Sequence, residues 1–128
     1  MSKRIYISPS WAFHDDRGDA LNPQLFTLLN RIKETGKLTK AAALANISYR
    51  HGWNLLDQAH QFFGSPVVHL EKGRGATLSP LGEKLLWAEQ RVAARLTPQM
   101  ENLASELNIE IHKEIADLSP ILRLQASH

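Results

Sequence analysis

The stretch that decides the fold is Lys37–Leu56, which reads KLTKAAALANISYRHGWNLL. It joins two short helical patterns through a tight turn: Asn46 suits the left-handed backbone that ends a helix, and Ser48 suits the cap that begins the next. Thr39 is predicted to cap the first helix. Gly52 is interpreted as a point of close backbone approach, because a helical glycine costs ~1 kcal/mol relative to alanine. The pattern predicts a helix-turn-helix, whose second helix commonly enters the DNA major groove.

The second helix of this motif is predicted over about Tyr49–Phe63, and Gly64 is suited to end it. Apolar side chains recur along it at roughly helical spacing, which indicates a stripe facing the core. Trp53 is therefore interpreted as a packing residue rather than a base-stacking one, in a stripe with Leu56, Ala59 and Phe63.

A hairpin is predicted after this helix. Two β-prone runs, Val67–Leu70 and Ala76–Leu78, flank the turn-forming sequence Glu71-Lys72-Gly73-Arg74-Gly75. Ser79 then caps a further helix, with Pro80 at its first position, where a missing N–H costs nothing. A hairpin in this place is a wing, and its glycines would allow close approach to a sugar–phosphate chain.

The segment before the motif is predicted to hold a strand over Arg4–Phe13, a polar loop over Asp15–Asn22 and a helix. Asn22 is suited to cap that helix, with Pro23 in its first turn, and Gly36 is suited to end it. Its buried stripe is predicted to comprise Leu25, Phe26, Leu28, Leu29 and Ile32.

The last helix is predicted to be long, and Pro98 is expected to kink or divide it near Leu96. A helix of this length cannot bury its apolar stripe against a small domain, so we expect it to pair with a second copy in a homodimer. The alternative is that the stripe folds back onto its own domain. The residues assigned to the dimer contact are Leu85, Val92, Leu96, Leu103 and Leu107.

The length of 128 residues fits one domain with an appended helix. The sequence has no apolar run of transmembrane length, so a cytoplasmic location is expected, and without cysteine there is no disulfide or thiolate site. The net charge of +2 is unevenly spread. Residues 1–95 hold 13 Lys/Arg and 8 Asp/Glu (+5), whereas residues 96–128 hold 2 and 5 (−3). A basic front half is typical of a nucleic-acid-binding face, with ordinary surface scatter as the alternative.

Two segments resemble known regulators. ISYRHGW, starting at Ile47, resembles the ISYKSAW-type recognition segment of ModE-type molybdate-responsive regulators. FFGSPVVHLEKGRGATLSPLGEKLL, starting at Phe62, resembles the wing-and-helix pattern of LysR-type regulators, although Val68 stands where those proteins usually carry Phe. The resemblance spans roughly Pro23 to Leu107. It implies a mainly α fold, a winged helix-turn-helix with a small β wing and a long carboxyl-terminal dimerisation helix.

The resemblance also implies an organisation. Residues 1–78 would form the winged DNA-binding domain, 79–118 a linker or dimerisation helix, and 119–128 a tail. Leu122–His128 is similar to the first strand of the effector domain of LysR-like regulators, which implies a piece of a longer regulator; a frayed tail is the alternative. No cofactor is expected in this chain, and an oxyanion such as molybdate, or another small effector, would bind a missing carboxyl-terminal domain.

The expected partner is double-stranded DNA carrying a pseudo-palindromic operator. Arg50 and Asn54 lie one turn apart and can pair with guanine and adenine in the major groove. The amino terminus of their helix can bind phosphate, and Arg74 at the hairpin tip can enter a narrow minor groove. For each residue the alternative is a solvated surface position. The set assigned to DNA is Lys37, Thr39, Lys40, Ser48, Tyr49, Arg50, His51, Asn54, Lys72 and Arg74.

Catalysis finds little support in the sequence. The six histidines are scattered without the i, i+4 spacing of a helical metal site, and no nucleophile motif is present. The main rival hypothesis is a winged-helix module that binds protein or RNA. Such a module would carry an apolar or acidic outer face on its second helix, whereas Arg50, His51 and Asn54 favour duplex DNA.

Overall fold

The computed structural model describes residues 10–118, with side chains as far as residue 115. The fold is mainly helical, with one antiparallel two-stranded sheet between the third and fourth helices. Residues 12–91 form one compact unit, and the part of the last helix from Val92 onward belongs to a second. The elements are α1 (Gln24–Thr35), α2 (Leu38–Leu44), α3 (Tyr49–Phe63), β1 (Val68–Glu71), β2 (Gly75–Leu78) and α4 (Pro80–Leu118).

The core of residues 12–91 is built around α1, whose predicted apolar stripe is buried throughout. Its side chains pack against apolar residues from α2, α3, the sheet and the start of α4. Full burial stabilises each of the larger side chains among them by roughly 1.5–3 kcal/mol. Asn22 Oδ1 accepts from Gln24 N at 3.0 Å and so binds the first N–H of α1, although Pro23, whose backbone is already helical, is the residue directly before the helix. α1 and α3 both end on left-handed glycines, Gly36 and Gly64, as predicted.

The turn between α2 and α3 has the predicted geometry. Asn46 adopts a left-handed φ of 60°, and Ser48 Oγ accepts from His51 N at 3.0 Å to cap α3. The prediction that Thr39 caps α2 is wrong. The helix already begins at Leu38, and Lys37, whose backbone is extended, is the residue before it. Thr39 therefore lies within the first turn and faces outward.

The core face of α3 differs from the predicted stripe. It comprises Gly52, Leu55, Leu56 and Ala59, whereas Trp53 is 47% exposed, so its assignment to the core is wrong. The interpretation of Gly52 as a close backbone approach is also wrong. A Cβ there would lie 3.4–3.7 Å from side-chain atoms of Leu38, Ala42 and Ile47, which is ordinary contact.

The wing is anchored to the helices at both ends. At one end Ala76 N donates to Gly36 O at 2.8 Å, where β2 meets the end of α1. At the other, Ser79 Oγ caps α4 by accepting from Gly82 N at 3.0 Å and also donates to Pro66 O at 2.7 Å. The antiparallel register pairs Glu71 with Gly75, which leaves residues 72–74 as the tip.

The ends of the chain and α4 differ in part from what the sequence predicts. Residues 10–13 form no strand, and the rest of the predicted strand lies outside the described residues, as does the tail 119–128. α4 runs through Pro98 as one helix and is not divided there. Leu85 is buried in the core of residues 12–91, so its assignment to a dimer contact is wrong.

Candidate nucleic-acid interface

A groove of about 610 Å³ lies between the helix-turn-helix and the wing. Its walls come from the start of α2, the start of α3 and the hairpin tip, three places that are distant in sequence. Five residues predicted to contact DNA line it together: Lys37, Thr39, Tyr49, Lys72 and Arg74.

The groove is predominantly positive. Lys37, Lys72 and Arg74 contribute three positive charges against the single negative charge of Glu71. Glu71 Oε2 lies 3.9 Å from Arg74 Nη1, and both side chains are largely exposed. An exposed ion pair of this kind contributes little free energy, so it leaves the guanidinium available for another anion.

The tip of the wing is a turn suited to approach a backbone. Arg74 N donates to Glu71 O at 3.0 Å to close the turn, and Gly73 between them has a φ of +79°. Nothing lies within 4 Å of where a Cβ on Gly73 would be, so the tip is open to solvent.

The start of α3 carries the residues predicted to read bases. Arg50 and Asn54 are exposed and one helical turn apart on the face opposite Gly52 and Leu55. Within residues 10–118, no hydrogen bond or ion pair engages either side chain. Lys40 on α2 is exposed as well but does not line the groove. Ser48 uses its oxygen to cap the helix, and its hydroxyl hydrogen remains able to donate.

His51 is set apart from the other predicted residues. It is half-buried on the side of α3 away from the wing. Its Nε2 forms a hydrogen bond of 2.7 Å with Oε1 of Gln24 at the start of α1. This contact ties the first turn of α3 to α1. The contact allows His51 to orient α3, and its assignment to DNA stays a prediction.

The prediction missed the wing side of α3. Trp53, Asp57 and His60 there line a shallow hollow of about 120 Å³ together with Leu70 of β1. The spacing of Leu55, Leu56 and Ala59 indicates that Trp53 lies off the core face. At 100° per residue, the centre of that apolar stripe is about 110° around the helix axis from Trp53.

Among residues 10–118, no three histidine, aspartate or glutamate side chains converge as a metal site would require. No helix in that range is long and apolar enough to cross a membrane.

Sequence comparison finds two similar curated proteins, and no family model matches the chain. The chain is 27% identical over 106 residues to the molybdenum-pterin-binding protein MopB of Rhodobacter capsulatus, covering 80% of this chain and 39% of MopB. It is 32% identical over 75 residues to the molybdenum transport protein ModE of Herbaspirillum seropedicae, covering 54% of this chain and 28% of ModE. The matches thus span less than two fifths of either relative.

Structural comparison finds regulators bound to DNA. DarR of Vibrio fischeri, a LysR-type (LTTR) protein solved with DNA, matches with a TM-score of 0.58 and 11% identity over 69% of this chain and 30% of DarR. The DNA-binding domain of CbnR, also solved with DNA, matches with a TM-score of 0.57 and 14% identity over 66% of this chain and 95% of that domain. At these identities the likeness shows the fold, a winged helix-turn-helix.

Proposed function

We propose that this chain, a winged helix-turn-helix domain of the ModE/LysR type, binds duplex DNA sequence-specifically as part of a transcriptional regulator. The observation that carries the proposal is the positive groove. It brings basic residues of the helix-turn-helix and of the wing to one surface, although about 35 residues separate them in sequence. The DNA-bound structures of regulators with the same fold support it.

The proposed roles follow from where the side chains lie. α3 enters the major groove, where Arg50 can form two hydrogen bonds with guanine and Asn54 with adenine. The phosphates beside it are bound by residues of α2 and of the start of α3: Lys37, Thr39, Lys40, Ser48 and Tyr49. In the wing, Lys72 and Arg74 bind the backbone or enter the minor groove. His51 orients α3 through Gln24.

A homodimer would present two copies of α3 to a pseudo-palindromic operator and so double the number of bases read. A small effector, an oxyanion such as molybdate being the one suggested by the relatives' names, would bind a part of the regulator outside these residues.

The experiment is a salt titration of binding to a duplex selected by the chain from a random pool. Four cations on phosphates, Lys37, Lys40, Lys72 and Arg74, predict a slope of log affinity on log salt of about −3.6 per bound chain, since each contributes about −0.9. An RNA duplex of the same sequence serves as the comparison, because its deep, narrow major groove excludes α3. Selection of no duplex, or equal binding to the RNA, would contradict the proposal.

A further inference from the structure

A strip of apolar surface runs along the wing side of α3. Tyr49 and Trp53, one turn apart, are 53% and 47% exposed, and Leu70 of β1, which is 46% exposed, lines both the positive groove and the hollow beside Trp53. The core of the unit does not use this strip, because the buried side of α3 is formed by other residues. Trp53 lines the hollow together with Asp57 and His60, and its exposed side is available to a binding partner.

The position of Trp53 on the helix narrows what that partner is. Three residues after Arg50, its side chain leaves the helix axis about 60° from that of Arg50, since each residue turns the helix by about 100°. It adjoins Asn54 in sequence and lies on the wing side of both. Trp53 therefore borders the surface that is proposed to read bases.

The chemistry of the major groove offers one apolar target. Among the base edges there, only that of thymine carries an apolar methyl group, on C5, whereas the edges of the other bases present mainly hydrogen-bond donors and acceptors. An exposed apolar ring next to two hydrogen-bonding side chains complements a thymine next to the bases that those side chains read.

We propose that Trp53 determines specificity by packing its indole ring against the C5-methyl group of a thymine in the operator. The inference rests on the proposed DNA binding and deepens it, because it names a base contact that Arg50 and Asn54 cannot make.

Methyl removal tests the contact directly. In the duplex selected by the wild-type chain, each thymine is replaced singly by deoxyuridine, which lacks only the C5-methyl group. At one position the wild type should bind the deoxyuridine duplex about three- to fivefold more weakly, the factor expected for burying one methyl group. Trp53→Ala should bind both duplexes equally at that position, whereas Trp53→Phe should retain part of the preference.

A matched control separates this contact from general effects. Trp87→Ala removes another half-exposed indole, one on α4 that lies over Lys84 and Arg91, and should keep the full preference for thymine. Thermal unfolding of each variant checks that it is folded.

The outcomes distinguish this inference from the proposed function. If Trp53→Ala weakens binding to the thymine and deoxyuridine duplexes by the same factor, the preference for thymine is kept. Trp53 then does not read the methyl group, and only this inference falls. If the wild type shows no preference at any thymine, the inference falls while duplex binding stands. A wild-type chain that selects no duplex removes both.

Discussion

Gly75 and Gly82 allow the sheet to sit directly against the helices. A Cβ on Gly75, whose φ is +98°, would lie 2.3 Å from Gly36 O, and one on Gly82 would lie 2.0 Å from Val67 O. Both neighbours are backbone atoms, so neither can move aside as a side-chain end would. Side chains at these two positions would force the wing away from α1 and from α4.

Gly75→Ala is expected to lower the free energy of unfolding by about 2–4 kcal/mol, because it combines a strained φ with a clash against backbone. Gly73→Ala is the matched control: its φ is also positive, +79°, but it has open space around it. That variant should lose only about 1–2 kcal/mol from the strained φ. Urea denaturation measures both; equal losses would show that the contact with Gly36 carries no strain.

The elements differ in how far the sequence could predict them. Helix ends were predictable wherever a local residue sets the backbone, as Ser48, Asn46 and Gly64 do. The face that a residue turns to the core was less predictable, since Trp53 is a typical core residue and Gly52 carries no hydrophobic signal. The joint groove could be predicted only through the resemblance, because the docking of β2 on Gly36 is a tertiary contact.

α3 and α2 should differ in how substitutions affect DNA binding. Arg50→Ala is expected to cost ~1–3 kcal/mol at one operator position and little on random DNA. Lys40→Ala should weaken binding to all sequences alike and reduce the salt slope by about 1. Lys113→Ala, which removes an exposed lysine late in α4, is the control and should change neither. Competition assays with specific and random duplexes measure these effects; equal losses from Arg50→Ala on both duplexes would remove its base-reading role.

At the scale of the whole molecule, the later part of α4 leaves apolar side chains in water. Leu96, Leu103 and Leu107 are exposed, and with half-buried Val92 they fall at spacings of 4, 7 and 4 residues on one face of the helix. Because Leu85 is buried in the core, the residues proposed for the dimer contact all lie after Arg91. The pairing of this face with a second copy stays a prediction.

Replacing Leu103 and Leu107 together by Glu should produce monomers, because charges would then occupy the proposed contact. Ile109→Glu is the control, since Ile109 is also exposed but lies on another face of α4. Sedimentation measures the mass, and thermal unfolding should show that residues 12–91 remain stable. A wild-type chain that is monomeric well above micromolar concentration would contradict the dimer.

The anchoring of the wing at both ends has a consequence for how such a domain can change over evolution. Because Ala76 is held by Gly36 and Ser79 by Pro66, length can be added or removed only at residues 72–74 without moving α3. A lineage could therefore lengthen the hairpin to touch more of the duplex while the bases read by α3 stay the same. Reach and sequence preference can thus diverge independently within one small scaffold.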